Sequence, residues 1–247
     1  TPVVSHYEII KLCLMGGKNV LCEKPITYSS SQFSELIKIA KENNCFLMEG
    51  MWMKCLPTFK KASEWIDEGK IGDLELIKAD FYKNEFINTE KTVFNVDEGG
   101  GVLKDFGVYA ISFMTTFLKG FPSKMNYSNR ISSFGIDSDW NISAEKDKVS
   151  AFINISSNFT SLSKAALIGN KGRIEWNSQF NRTNTISLID SYGNKVEDFC
   201  YKYNYMGFEY EIEEITSCLR LGSKESFKVP LQESLDTLKV IDQLNKK

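Results

Sequence analysis

A single histidine, His6, in 247 residues leaves this sequence little with which to build a zinc centre or a Ser–His–Asp relay. The six cysteines (Cys13, Cys22, Cys45, Cys55, Cys200 and Cys218) show no CxxC or Cys–His spacing. Most of them lie inside apolar runs, so they read as reduced core thiols of a cytoplasmic protein, and no metal site is expected. No apolar run approaches the roughly 18 residues that a membrane helix needs. Lys and Arg total 30 against 32 Asp and Glu, a net charge of −2, which gives no pull toward nucleic acid or acidic lipid. Internal repeats, low-complexity tracts and flexible linkers are also missing, and nowhere does the pattern G-x-G-x-x-G occur. What remains is ordinary for a globular protein: 42% hydrophobic and 25% charged residues, and enough length for one large or two small domains.

Within that frame the run Asn19-Val-Leu-Cys-Glu-Lys-Pro25 stands out. A short apolar stretch between turn signals reads as a buried strand, and charged residues at a strand's carboxyl end face the ligand crevice of an open α/β sheet. Around it, helix and strand alternate. Ser5-x-x-Glu8 reads as a capping box ahead of Ile9, Leu12 and Cys13, and Gly16-Gly17 as the helix stop. Ser29-x-x-Gln32 opens a second helix with Phe33, Leu36, Ile37 and Ala40 on one face, ending at Asn43-Asn44, before a strand over 45–48. This order implies a parallel sheet with right-handed crossovers.

Beyond residue 55 the pattern changes. A helix over 57–68 has Pro57 at its first position and Gly69 past its end. A strand over 74–82, a Gly99-Gly100-Gly101 turn and a helix over 103–118 follow. From Met125 strands dominate, with a period of two in Val149, Ala151, Ile153 and Ile155 and further strands over 162–168, 173–176 and 185–189. Tight turns between them, such as Gly169-Asn170-Lys171-Gly172, imply an antiparallel sheet, and helices over 207–220 and 231–244 close the chain.

These residues, taken in order, resemble a known family. Thr1-Pro2, His6-Tyr7-Glu8, Gly17-Lys18-Asn19-Val20, Glu23-Lys24-Pro25, Gly69-Lys70-Ile71-Gly72, Gly99-Gly100-Gly101, Asp105-x-Gly107-x-Tyr109, Gly169-x-Lys171-Gly172 and Glu225-Ser226 resemble the Gfo/Idh/MocA oxidoreductases across essentially the whole chain. The segment Glu49-Gly-Met-Trp-Met-Lys-Cys-Leu-Pro57 is similar to the branch with dihydrodiol and D-xylose dehydrogenases, although that branch usually has Arg where Lys54 stands. The resemblance implies the second half of a Rossmann-type parallel sheet, residues 1–55, followed by an α+β domain, 56–247, with a large, mostly antiparallel, open-faced sheet. It implies NAD or NADP as cofactor and a hydride exchanged with a sugar, polyol or vicinal diol. It also implies a homodimer formed through the sheet, and a chain that starts after the family's glycine-rich phosphate loop, on the order of 60–80 residues if each βαβ unit takes about 30.

For the site, the resemblance puts Thr1, Pro2, His6, Glu23, Lys24 and Pro25 at the cofactor, and Lys24, Asp105 and Tyr109 at the chemistry. Asp105 and Tyr109 are four apart, so one helical face would carry both. Lys24 is then expected to lower the tyrosine pKa by stabilising the phenolate. Glu49, Trp52 and Lys54 follow a strand end and are expected to line the substrate pocket. Each has a plain structural alternative: a surface lysine, a packed aromatic, an acid in a helix's first turn. The competing function is a non-catalytic remnant that serves as a dimerisation or ligand-binding module.

Overall fold

A computed structural model describes residues 1–84, 100–203 and 206–246. Gly99, the first of the expected glycine triplet, lies outside them. Helix α1 (Val3–Met15), strand β1 (Val20–Glu23), helix α2 (Ser30–Glu42) and strand β2 (Leu47–Gly50) form the first unit. The two strands pair in parallel from Val20↔Leu47 to Glu23↔Gly50, which sets the end of β1 beside the end of β2. Ser29 caps α2 by accepting the amide of Gln32, and Asn44 takes a positive φ of 54° just past its end.

Helix α1 departs from its expected form. It starts at Val3, its Ser5 hydroxyl donates to the Pro2 carbonyl, and no side chain caps it. His6, Ile10 and Leu14 are its buried residues, whereas Ile9 and Leu12 are exposed, Leu12 by 75%. Apolar residues ring this helix, so no single stripe in the sequence marks its inner face. Strand β2 likewise sits two residues later than the apolar run suggests, because the run continues into Glu49-Gly50 as a fully buried strand.

After a 3₁₀ turn (Trp52–Cys55), helix α3 (Pro57–Asp67) and strand β3 (Leu74–Tyr82) begin the second unit. A π-helical turn (Leu103–Gly107) runs straight into α4 (Val108–Phe117). Seven strands follow: β4 (Lys124–Ile131), β5 (Asp137–Lys146), β6 (Val149–Ser156), β7 (Ala165–Gly169), β8 (Gly172–Trp176), β9 (Thr185–Asp190) and β10 (Lys195–Cys200); then come α5 (Glu209–Arg220) and α6 (Leu231–Leu244). The eight-stranded sheet has the order β10-β9-β8-β7-β3-β6-β5-β4. All its neighbours are antiparallel except β3 and β6, which run parallel through Ile77↔Ala151 and Phe81↔Ile155. The result is an α/β unit followed by an α+β unit with a mostly antiparallel sheet.

The apolar face of that sheet is covered. Ala151, Ile153, Ile155, Leu167, Ile174 and Trp176 share one core with Phe59 and Trp65 of α3 and Phe113 and Phe117 of α4. Its aromatic centre is tight, with Phe113 edge-on to Trp176 at 5.1 Å. Residues of alternate parity, such as Lys78 and Phe152, turn to the opposite, exposed face. A second core joins Ile10, Leu14, Phe33, Leu36 and Leu47 to Leu238 of α6, so the last helix packs back against the first unit.

All six cysteines are free; Cys45, Cys55 and Cys218 are buried, while Cys200 is exposed, unlike the core position its neighbours suggest. Among the described residues no group of His, Cys, Asp and Glu could hold a metal, and no helix is long and apolar enough to cross a membrane.

Candidate active site

Hydrogen bonds from two side chains brace the loop after β1. The buried His6 ring has one nitrogen 3.0 Å from the Thr1 carbonyl and the other 3.0 Å from the Pro25 carbonyl. Glu49 accepts the amide of Ile26 at 3.1 Å. The Lys24–Pro25 peptide is cis. Lys24 thus leaves the end of β1 with its ammonium donating to the Asp105 backbone carbonyl and lying 3.7 Å from the Asp105 carboxylate. Burial lowers the lysine pKa, while the charges of Asp105 and Glu23 oppose that shift.

Asp105 and Tyr109 do not sit on a regular α-helix. Asp105 lies in the π-helical turn and Tyr109 one residue into α4. The wider turn opens at Gly101, whose φ is 120° and where an added Cβ would stand 2.0 Å from Asp137 Oδ1. Asp137 in turn accepts the Leu103 amide at 2.9 Å and anchors the start of the turn.

The Tyr109 hydroxyl accepts the indole N–H of Trp52 at 3.0 Å, and its ring stacks on Phe81 at 6.0 Å. Lys24 Nζ is 5.0 Å from the centre of the same ring. The expected lowering of the tyrosine pKa is not found. Burial, then the negative charges of Glu23, Asp105 and Glu211, push Tyr109 up to about 12, and only the Trp52 bond works the other way. The main cause is burial of the phenol, and Lys24, 5.0 Å from the ring centre, does not offset it.

Lys24, Asp105, Tyr109 and Trp52 therefore form one connected group. Lys54 is not part of it. Its buried ammonium pairs with Glu233 of α6, which also accepts the Thr116 hydroxyl at 3.1 Å. Glu49 lies behind the loop as a brace, and burial raises its pKa. Thr1 and His6 reach the group only through the Pro25 carbonyl.

Two residues that the sequence did not flag do belong here. Phe208 stacks on Trp52 at 4.9 Å, and Glu211, one turn further along α5, lies over Gly50 at the end of β2. Burial and the charges of Glu23 and Glu49 raise Glu211 to about 7. In sequence these two sit in a run of acids and aromatics that opens a helix, which reads as ordinary complement to the helix dipole. Chemically the group offers a protonated phenol and a partly buried ammonium at the carboxyl edge of a parallel sheet, where α/β folds take their ligands.

Comparison with known proteins gives the family and the fold. Residues 1–51 match the model of an oxidoreductase family with an NAD-binding Rossmann fold, and residues 59–175 that of the GFO/IDH/MocA C-terminal domain. Trans-1,2-dihydrobenzene-1,2-diol dehydrogenase of Xenopus laevis is 30% identical over 96% of this chain and 73% of its own, and the human protein of that name is 27% identical over 98% and 73%. Aldose-aldose oxidoreductase of Caulobacter crescentus, solved with glycerol, superposes with a TM-score of 0.88 at 18% identity, covering 99% of this chain and 74% of that one. KijD10, a 3-ketoreductase of Actinomadura kijaniata solved with NADP, superposes at 0.82 with 23% identity, covering 98% and 74%.

Proposed function

Given that this chain belongs to the GFO/IDH/MocA oxidoreductases, a family with an NAD-binding Rossmann fold, we propose that it exchanges a hydride with the carbinol carbon of a sugar, polyol or vicinal diol. The observation that carries this reading is the convergence of Lys24, Asp105, Tyr109 and Trp52 at the carboxyl end of β1. A nicotinamide bound there supplies the hydride donor or acceptor. The residues fit it: the edge formed by Glu23 and Gly50 at the paired strand ends is where such a ring is met in α/β folds, and Lys24 borders it.

The chain's own residues then divide the work. Tyr109, protonated at neutral pH, donates its proton to the substrate oxygen in the reductive direction, and in the oxidative direction the phenolate takes that proton back. Lys24 holds positive charge beside that oxygen, and Asp105 fixes the ammonium. Trp52 orients the phenol by its hydrogen bond. His6 and Glu49 hold the Pro25–Ile26 backbone, and so keep Lys24 in place. The diol class follows the name of the Xenopus and human relatives, and the sugar class that of the Caulobacter structure.

We place the boundary between the two domains at residues 55 and 56, with α6 serving both cores. We also assign a homodimer to the exposed face of the eight-stranded sheet, which carries Phe152 at 47% exposure, and keep the cytoplasm as compartment on the six unpaired cysteines.

The test is a titration of the chain with NADPH and NADH by fluorescence, followed by turnover of D-xylose and trans-cyclohexane-1,2-diol. Binding with turnover that vanishes in Y109F supports the assignment. Binding that appears only once an upstream glycine-rich strand-turn-helix is restored also fits the assignment, whereas a chain that binds no dinucleotide even with that segment yet dimerises in light scattering returns the reading to a non-catalytic module.

A further inference from the structure

Three carboxylates meet at the ends of the paired strands, and only one of them has nothing to hold. Glu23 accepts the Lys24 amide at 3.3 Å. Glu49 accepts the Ile26 amide and the Ser234 hydroxyl. Glu211 is only 5% exposed, yet among the described residues its carboxyl makes no hydrogen bond and no ion pair, and its Oε1 is buried without a partner. A buried polar group in this state is costly, and its natural remedy is a donor brought by a ligand.

Position ties this acid to the site. Its Oε1 lies 3.6 Å from where a Cβ on Gly50 would be, and the same Cβ would stand 3.2 Å from the Cys22 carbonyl. The carboxyl therefore lies at the strand ends, in ordinary contact range of the Gly50 backbone. One turn earlier on α5, Phe208 stacks on Trp52, and Trp52 donates to the Tyr109 hydroxyl. Glu211 also contributes to raising the Tyr109 pKa, which puts the two within electrostatic reach.

We propose that Glu211 is a specificity-determining residue: its carboxyl takes a hydrogen bond from a hydroxyl of an uncharged sugar or diol, and with Glu23 it rejects substrates that carry a carboxylate or phosphate. The inference rests on the hydride-transfer reading above and deepens it. The exclusion follows from charge: above about pH 7, where Glu211 is ionised, an anion at this corner meets its carboxylate with Glu23 beside it, whereas a neutral hydroxyl meets a free acceptor. A hydroxyl-binding site discriminates well because an analogue without the group leaves the acceptor unpaired.

The test uses the full chain with E211L and E211Q, with D-glucose, D-xylose and trans-cyclohexane-1,2-diol as uncharged probes and D-glucuronate as the anion. E211L is expected to raise KM for the best uncharged probe roughly tenfold, the value of one lost hydrogen bond, with NADPH affinity unchanged. E211Q, which keeps an acceptor but no charge, restores that KM and improves D-glucuronate relative to D-glucose by about tenfold. Urea unfolding serves as the control, because removing an unpartnered buried acid leaves E211L at least as stable as wild type.

Unchanged KM and an unchanged glucose-to-glucuronate ratio in both variants overturn the proposal. So does a loss of NADPH affinity in E211L that accounts for the whole defect, since the acid then serves the cofactor. A wild-type chain that binds no dinucleotide and turns over none of the probes, even with an upstream glycine-rich strand-turn-helix restored, removes the hydride-transfer reading, and this inference with it, and that failure is recognisable because it precedes any substitution.

Discussion

Two lysines in this molecule, one buried and one partly buried, have been put to opposite uses. Lys54, in the 3₁₀ turn, gives its ammonium to Glu233, and Thr116 completes the pair, so that the turn, α4 and α6 are tied together. Lys24, at the end of β1, has a looser set: a backbone carbonyl, a carboxylate at 3.7 Å and an aromatic face at 5.0 Å. The same contrast holds for the acids, where Glu49 is bonded and Glu211 is not. One region has its polar groups satisfied internally and therefore holds structure. The other leaves charge and hydrogen-bonding capacity in hand, which is what a site needs for a ligand.

The sharpest way to break this contrast is Y109F. If Tyr109 moves the proton, turnover falls by about 10²–10⁴-fold while NADPH binding and the urea midpoint stay where they are. K24A should behave alike, with little loss of stability because burial already disfavours its charge. K54A should do the reverse. It leaves Glu233, whose side chain is 32% exposed, without its partner, and is expected to lower unfolding stability by about 2 kcal/mol, below the fully buried range because solvent reaches the acid, with kcat kept. Loss of turnover in K54A with stability intact would undo the division.

The acids supply a pH version of the same comparison. Glu211 in the folded chain is raised to about 7 from the ordinary 4.5. The folded state therefore holds more protons than the unfolded state between those values, so stability is full below pH 4.5 and declines as pH rises toward 7. The loss amounts to at most about 3 kcal/mol, and E211Q, which does not titrate, should flatten that part of the curve in chemical denaturation across pH 4–8. The smallest effect is expected of S29A. Its bond to the Gln32 amide is long, 3.4 Å, so the variant should cost about 0.5 kcal/mol and leave every site measurement unchanged.

Much of this was legible in the sequence, for reasons that differ from element to element. Helix α2 was fixed by its cap and one apolar stripe, α3 by Pro57 and Gly69, and β3 and α6 by their periodicity. Helix α1 was misjudged because apolar residues surround it, and β10 was overlooked because an almost wholly exposed edge strand has no inward pattern to read. Lys24, Asp105 and Tyr109 were named from an ordered set of motifs, and the structure brings them together. Their electrostatics were not legible. The sequence placed an ammonium near a phenol, but the sign of the tyrosine shift is set by how far the fold buries that phenol and by the acids around it.

Local chemistry alone determined the alternation of helix and strand, the charged strand end at Glu23-Lys24-Pro25 and the switch to a strand-rich second half, because caps, turns and periodicity act over a few residues. Tertiary structure decided the rest. The parallel insertion of β3 beside β6, the return of Leu238 to the first core, the closure of Lys54 by Glu233 and the unpaired Glu211 over Gly50 all join segments far apart in the chain. The physical reason is that burial and pairing of charge are properties of neighbours in space, and a lysine or glutamate carries no mark in sequence of whether its partner is waiting for it in the fold.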